Sequence, residues 1–144
     1  MLYKIIDNLY LSNWKDARDN PDYHHVNCTK DMPRYNTKLF DFYRIPVDDN
    51  GRDGTIFLKA LPGAVDFIQD KLERKEHVIV HCFAGQQRSC AVIAAYLIAY
   101  CKENGNDINE TINFIKTKKP DAFIRRIHFL SELILWRESL LSDN

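Results

Sequence analysis

A cysteine is followed six positions later by an arginine and then a serine in the run His81-Cys82-Phe83-Ala84-Gly85-Gln86-Gln87-Arg88-Ser89. The run starts where an apolar strand should end and finishes where a helix should begin. Backbone N–H groups in such a loop can turn inward, and the helix N-terminus adds partial positive charge, so the loop is suited to cradling an anion such as phosphate. In that setting a thiol ionises below its free pKa of about 8.5, because N–H groups, the helix dipole and an arginine all favour the thiolate. Cys82 is therefore the expected nucleophile. Arg88 offers a planar fork that can hold two phosphate oxygens while the flat transition state passes. Gly85 permits a tight turn, and Phe83, Ala84, Gly85, Gln86 and Gln87 complete the phosphate-binding loop with Arg88. Ser89 can donate a hydrogen bond to the Cys82 sulfur as it leaves. His81 should point to the opposite face of its strand, which suits bracing the loop better than carrying protons.

The bland alternative makes Cys82 a core cysteine and Arg88 a surface residue. Bare C-x5-R spacing arises by chance in roughly one in ten ordinary chains, and requiring the His, Gly and Ser as well lowers that by about four orders of magnitude. The chemical reading is the better one. Zinc is not expected. His77 and His81 copy an H-x-x-x-H spacing, but Val78-Ile79-Val80 between them reads as strand and no third ligand is apparent. No cofactor is called for by this chemistry.

The elements that must hold this loop can be read outward from it. Val78-Ile79-Val80 forms the centre of a buried strand over 77–82, and 89–102 is apolar on nearly every face, as a helix inside a domain would be. Upstream, 3–6 and 9–11 pair as a hairpin across Asp7-Asn8. A helical turn is expected at 13–18 and strands at 25–28 and 40–47. Residues 55–74 carry Leu58, Leu61, Val65, Ile68 and Leu72 at helical spacing, with Pro62 expected to kink the helix or delay its start. Downstream, Asp107 and Glu110 resemble a capping box opening a helix to about residue 118, and a last helix is expected over 127–141. Strands and helices alternate, with helices gathered late. The expected fold class is α/β, a single domain over 1–144 with a central mixed, mostly parallel sheet flanked by helices.

Twenty basic and twenty acidic residues cancel, so no whole-molecule field draws the chain to nucleic acid or anionic membrane. The composition, 45% hydrophobic and 28% charged, is that of a globular protein. The opening residues lack a signal-peptide run, and no stretch approaches ~18 uninterrupted apolar residues. The four cysteines, Cys28, Cys82, Cys90 and Cys101, form no CxxC pair. Reduced thiols in a cytoplasmic setting are expected, with the nucleus not excluded.

Residues 81–89 match in full the HCxxGxxRS signature of the dual-specificity branch of the protein tyrosine phosphatases, and the resemblance runs almost end to end. It takes in the I-x-x-x-L-Y-L-S of 5–12, the Val26-Asn27-Cys28-Thr29 strand end, Tyr43-Arg44-Ile45-Pro46-Val47-Asp48-Asp49 and the amphipathic 64–72 segment. The resemblance implies the cysteine phosphatase fold, phosphorylated protein substrates and a general acid on the loop after the Ile45-Pro46-Val47 strand. Matching the family's I-P-x-x-D pattern puts that acid on Asp49, with Asp48 and Asp53 as rivals whose expected role is solvated loop charge. Two departures stand out. The family's Pro-Asn pair before the last helix, whose Asn helps brace the phosphate loop, is replaced by Asp121-Ala122-Phe123-Ile124-Arg125-Arg126, leaving the bracing open. Cys90 follows the signature where small non-thiol residues are common, so Cys90 or Cys28 is a candidate for a disulfide with Cys82 under oxidation, although core packing is the plainer role.

The rival readings keep the same cysteine loop. An RNA 5′-triphosphatase or phosphoinositide phosphatase should want more charge than the neutral Phe83, Ala84, Gln86 and Gln87 offer. An inactive phosphoprotein-binding module should lack Cys82 or Arg88. The short chain has little room for loops that deepen a pocket toward phosphotyrosine alone, which favours dual specificity. It begins close to the first strand, without a leading helix for dimer exchange, so a monomer is expected.

Overall fold

The computed structural model describes residues 1–32, 41–48, 50, 52–101 and 107–142. Its strands β1 (Tyr3–Ile6) and β2 (Leu9–Ser12) form the expected antiparallel hairpin, with Asn8 in the left-handed conformation at φ 69°. Asn and Asp tolerate that conformation better than other side-chain-bearing residues, which is why the Asp7-Asn8 pair marks the turn. Helix α1 (Trp14–Arg18) follows, its N-terminus capped by Asn13, whose Oδ1 accepts from the Asp16 N–H at 2.7 Å. Next come β3 (His24–Asn27) and β4 (Phe42–Arg44).

Helix α2 spans Gly54–Glu73 and includes Pro62. The late start that Pro62 could have imposed is not seen: the helix begins at Gly54 and continues past the proline. A proline removes one helical hydrogen bond. Here burial of Phe57, Leu61, Ala64, Val65 and Ile68 along one face holds the helix on both sides of it. A Cβ at Gly63 would lie 2.2 Å from the Tyr43 hydroxyl, so any larger residue there would displace that ring.

Strand β5 (Val78–His81) leads through the loop into α3 (Arg88–Tyr100), whose residues from Arg88 to Ile98 are all buried. Helix α4 (Ile108–Lys118) starts at the anticipated cap, Asp107 Oδ1 accepting from Glu110 N–H at 2.7 Å. Helix α5 (Leu130–Ser142) starts three residues later than the periodicity suggests. The residues before it are held in a turn by contacts that no periodicity reveals.

The sheet order is β1-β2-β5-β3-β4, with β1/β2 antiparallel and the other three pairings parallel. The mixed, mostly parallel α/β fold is thus as expected, and β5 is its middle strand. Both neighbours of β5 run parallel to it and all four of its residues are buried, as the apolar Val78-Ile79-Val80 predicts, with His81 buried at its end. Phe57 of α2 and Phe129 stack at 4.4 Å between ring centres, fixing the start of α5 against α2.

Candidate active site

Ligands of parallel α/β sheets bind beyond the carboxyl ends of the strands. Cys82 stands at that end of the middle strand. Ser12 and Asn27, the last residues of β2 and β3, pair with His81 on either side, and the Cys28 N–H donates to the His81 carbonyl at 2.8 Å. Cys82 is 1% exposed, while Phe83 and Ala84 after it face solvent. The loop therefore places its sulfur at the bottom and its second and third residues at the rim.

Two groups converge on the sulfur. The Gly85 N–H donates to Cys82 Sγ at 3.2 Å, and Ser89 Oγ lies 3.2 Å from the same atom. Gly85 has φ 72°, and a Cβ there would lie 2.8 Å from the Ser12 carbonyl oxygen. Both the conformation and the close approach require glycine. Arg88 is buried at the start of α3, and its Nη1 donates to the Val47 carbonyl at 3.0 Å. That bond ties the guanidinium to the segment after β4.

Asp49, the expected general acid, lies outside the described residues. Its rivals have structural employment. Asp48 Oδ2 accepts from Lys30 Nζ at 3.0 Å, and the Asp48 N–H donates to Asp53 Oδ2 at 2.7 Å. Lys30 also reaches Asp53 Oδ2 at 3.1 Å. The Asp48 backbone N–H, and then Lys30, hold the Asp53 carboxyl below the usual carboxylate range. Asp53 is thus a loop brace in its ionised form, more than the solvated charge that its sequence suggests.

The loop is held from both sides. The Trp14 N–H donates to the Phe83 carbonyl at 3.1 Å, and the Phe123 N–H donates to the Gln86 carbonyl at 2.7 Å. Gln86 Nε2 donates to Asp121 Oδ2 at 3.2 Å. Gln87 does most. Its Nε2 donates to the carbonyls of Ile124 (3.0 Å) and Arg126 (2.6 Å), while its Oε1 accepts from the His128 N–H at 3.1 Å. Bracing left open by the missing Pro-Asn pair is supplied from inside the loop, by a glutamine reaching outward. Gln86 and Gln87 are loop residues as expected, but their side chains serve the 121–128 segment. Sequence reasoning passes over Trp14 and this role of Gln87; Asn13 as a helix cap is the only local signal that residue 14 is fixed.

His81 is fully buried, with its ring 5.6 Å from that of His25 at a steep angle. Burial, with the neighbouring His25, lowers its pKa to about 3, so it is neutral near pH 7 and does not shuttle protons there. Burial pushes the thiols of Cys28 and Cys90 up. Thiolates are the species that exchange with disulfides, so neither is readied for a bond to Cys82. Cys90 instead donates from Sγ to the Gly85 carbonyl at 3.4 Å, bracing the loop. Among the described residues no group of three His, Cys, Asp or Glu side chains could hold a metal ion. His77 sits near the Tyr10 hydroxyl, Nδ1 to Oη 3.3 Å, while His81 faces His25.

A cysteine at the floor of an anion-shaped loop, beside a hydroxyl and an oriented guanidinium, can attack a tetrahedral phosphoryl group. Comparisons point the same way. The family model for the catalytic domain of dual specificity phosphatases matches residues 9–139. Dual specificity protein phosphatase 9 of Homo sapiens is 28% identical over 145 residues, covering 95% of this chain and 36% of the relative. Dual specificity protein phosphatase OPG106 of Monkeypox virus is 33% identical over 110 residues, covering 72% of this chain and 63% of the relative. The chain thus spans about a third of the human relative and under two thirds of the viral one. The crystal structure of human DUSP28 shares the fold, with a TM-score of 0.81 at 20% identity over 97% of this chain and 95% of that one.

Proposed function

This chain belongs to the dual specificity phosphatase family, and from that premise we propose that it hydrolyses phosphotyrosine, phosphoserine and phosphothreonine monoesters in proteins through a phosphocysteine on Cys82. The observation that carries the reading is the pair of 3.2 Å contacts to Cys82 Sγ, from the Gly85 N–H and with Ser89 Oγ, on the floor of the loop. We take residues 1–144 as one catalytic domain, which the match over 9–139 supports.

In the first step the Cys82 thiolate attacks phosphorus and the bond to the seryl, threonyl or tyrosyl oxygen breaks. Asp49 gives its proton to that oxygen, so the substrate leaves as a neutral alcohol or phenol. Arg88, fixed by the Val47 carbonyl, spans two equatorial oxygens as the transition state flattens. In the second step water attacks phosphorus, Asp49 takes its proton, and the S–P bond breaks to give inorganic phosphate. Ser89 donates to the departing sulfur, stabilising the thiolate.

Four buried cysteines, none in a disulfide among the described residues, and a mechanism that needs a thiolate support a reducing, cytoplasmic setting. Among the described residues no helix is long and apolar enough to cross a membrane. The deciding assay is hydrolysis of a small aryl phosphate under reducing conditions. Cys82→Ser should abolish turnover, and Asp49→Asn should reduce it by about 10²–10⁴-fold, the span of a general acid. An inactive wild type, or an active Cys82→Ser, refutes the mechanism. A phosphopeptide panel then addresses specificity, and activity confined to phosphotyrosine would remove the dual-specificity reading.

A further inference from the structure

At the far end of α3 from the phosphate loop, two hollows of about 400 Å³ each share Tyr100 as a wall. Pro62, Val65, Ala99, Trp136 and Leu140 give the first its apolar lining, with the exposed Asp66 beside them. Trp136 is fixed there, its Nε1 donating to the Ala95 carbonyl at 2.9 Å. Ile6 and Leu72 line the second, with the exposed Asp7 and Glu73 beside them. Among the described residues no lysine, arginine or histidine lines either hollow. Asp7 is engaged, since Lys4 Nζ reaches its Oδ1 at 2.9 Å. Asp66 and Glu73 meet neutral donors: the Tyr100 hydroxyl donates to Asp66 Oδ1 at 3.4 Å, and Gln69 Nε2 donates to Glu73 Oε1 at 2.9 Å. Neither forms an ion pair among the described residues. Partial burial, and then the Asp66 charge, push the Tyr100 hydroxyl up, in keeping with an uncompensated negative edge. Two carboxylates on a helix surface are commonly no more than solvated charge. These two differ in each bordering an apolar hollow, and in standing two turns apart on one face of α2, a rise of about 10 Å.

We propose that the two hollows dock a positively charged amphipathic helix of a partner protein. Apolar side chains at i and i+7 of that helix fill the hollows, and a lysine or arginine beside each anchor faces Asp66 or Glu73. The charge of the edge selects the sign of the partner, and it repels nucleic acid and anionic lipid alike. Helix geometry selects the spacing: a helix laid along α2 advances about 10 Å in seven residues, as α2 itself does between Asp66 and Glu73. The site stands apart from the chemistry. Helix α3 rises about 18 Å from Arg88 in the phosphate loop to Tyr100 at the hollows, so the docked helix touches no reacting atom. Its effect on catalysis is to hold a tethered phosphorylated segment near Cys82. That consequence rests on the phosphatase reading above; the docking itself does not.

The probe is a fluorescein-labelled helical peptide built only of lysine, leucine and alanine, with two leucines seven residues apart and a lysine beside each. Titrated with the whole protein and followed by anisotropy, it should bind wild type with a Kd of about 10 μM at about 50 mM salt, and severalfold more weakly at about 300 mM. Asp66→Asn/Glu73→Gln keeps the acceptors that Tyr100 and Gln69 use and should weaken binding about tenfold, the scale of two exposed ion pairs. Moving the leucines to a spacing of five, at the same composition, should weaken it as much. A wild-type Kd above about 1 mM overturns the proposal. So does equal affinity for the two leucine spacings, which would mean attraction of bulk charge only, or affinity that the double variant leaves unchanged. Sedimentation of the protein alone tests the other occupant: self-association that the double variant abolishes assigns the hollows to a second copy and overturns the proposal. A second arm joins the probe to a phosphotyrosine segment through about ten glycine and serine residues, whose r.m.s. span is about 18 Å. In wild type the tether should lower KM about tenfold at unchanged kcat, and in the double variant it should not. Spacing-specific binding without turnover leaves the docking site standing and removes the phosphatase reading. Turnover without spacing-specific binding does the reverse.

Discussion

Lowering the pH from 7 to 5 should cost this protein stability through His81, by an amount that can be worked out. A histidine in the unfolded chain titrates near 6.5, whereas burial holds His81 at about 3 in the folded protein. Between those values the unfolded chain binds a proton that the folded chain refuses, so stability falls as pH falls through this window. The slope approaches 1.4 kcal/mol per pH unit, and the integrated loss between pH 7 and pH 5 is about 2 kcal/mol. That is a large share of a total that for domains is about 5–15 kcal/mol. His25, lowered mainly by burial, adds to the loss with the same sign. Asp41 and Asp53, lowered by their partners, lose their contributions further down, in the carboxylate range. Urea denaturation of wild type and His81→Gln at both pH values isolates the one group, because His25 and the carboxylates remain in both. The variant should lose about 2 kcal/mol less than wild type over the interval. Equal losses would refute the reasoning. If the variant does not fold, the wild-type His81 ring followed by NMR decides instead: a titration midpoint above about 5 is incompatible with the burial argument.

Three further outcomes follow from the loop. Gly85→Ala places a methyl group 2.8 Å from the Ser12 carbonyl oxygen in a left-handed conformation; it should destabilise the protein by about 1–3 kcal/mol in thermal or urea melts and cut aryl phosphate turnover sharply. Gln87→Ala removes the partner of three backbone groups and should cost about 2–4 kcal/mol, while Gln87→Glu, which keeps only the acceptor for His128, should rescue little of it. Ser89→Ala should slow phosphocysteine breakdown more than its formation, seen as a burst of released phenol before a steady rate lowered by about tenfold or more.

The proposed nucleophile is legible in residues 81–89 because everything that marks it is local. A strand's apolar run, a glycine at the turn and a helix's first residues follow one another without interruption, and each residue type has a distinct physical job. The hairpin, the cap at Asp107 and the buried Val78–His81 strand are readable for the same reason. The braces are another matter. Gln87 meets a carbonyl 37 residues away and an N–H 41 residues away. Every residue has a carbonyl, so no residue type marks which one a buried amide will find. The late start of α5 follows from those same contacts, since Ile127 suits helical spacing and only the tethered backbone before Leu130 rules it out. Pro62 is misleading as a start signal: burial on both sides of it holds the helix from Gly54 onward.

The fastening of the loop also bears on how the protein is made. Its carbonyl at Phe83 is held by Trp14, from the first hairpin's exit, and its Gln87 by residues 124–128, just before the last helix. Contacts so far apart in sequence form late in folding, after shorter-range structure is in place. A chain emerging from the ribosome has Cys82 long before it has residue 128, and in that interval the loop lacks its far-side tether. The finished phosphate cradle thus needs residues from both ends of the domain, and a chain that stops short of residue 128 lacks one of its ties.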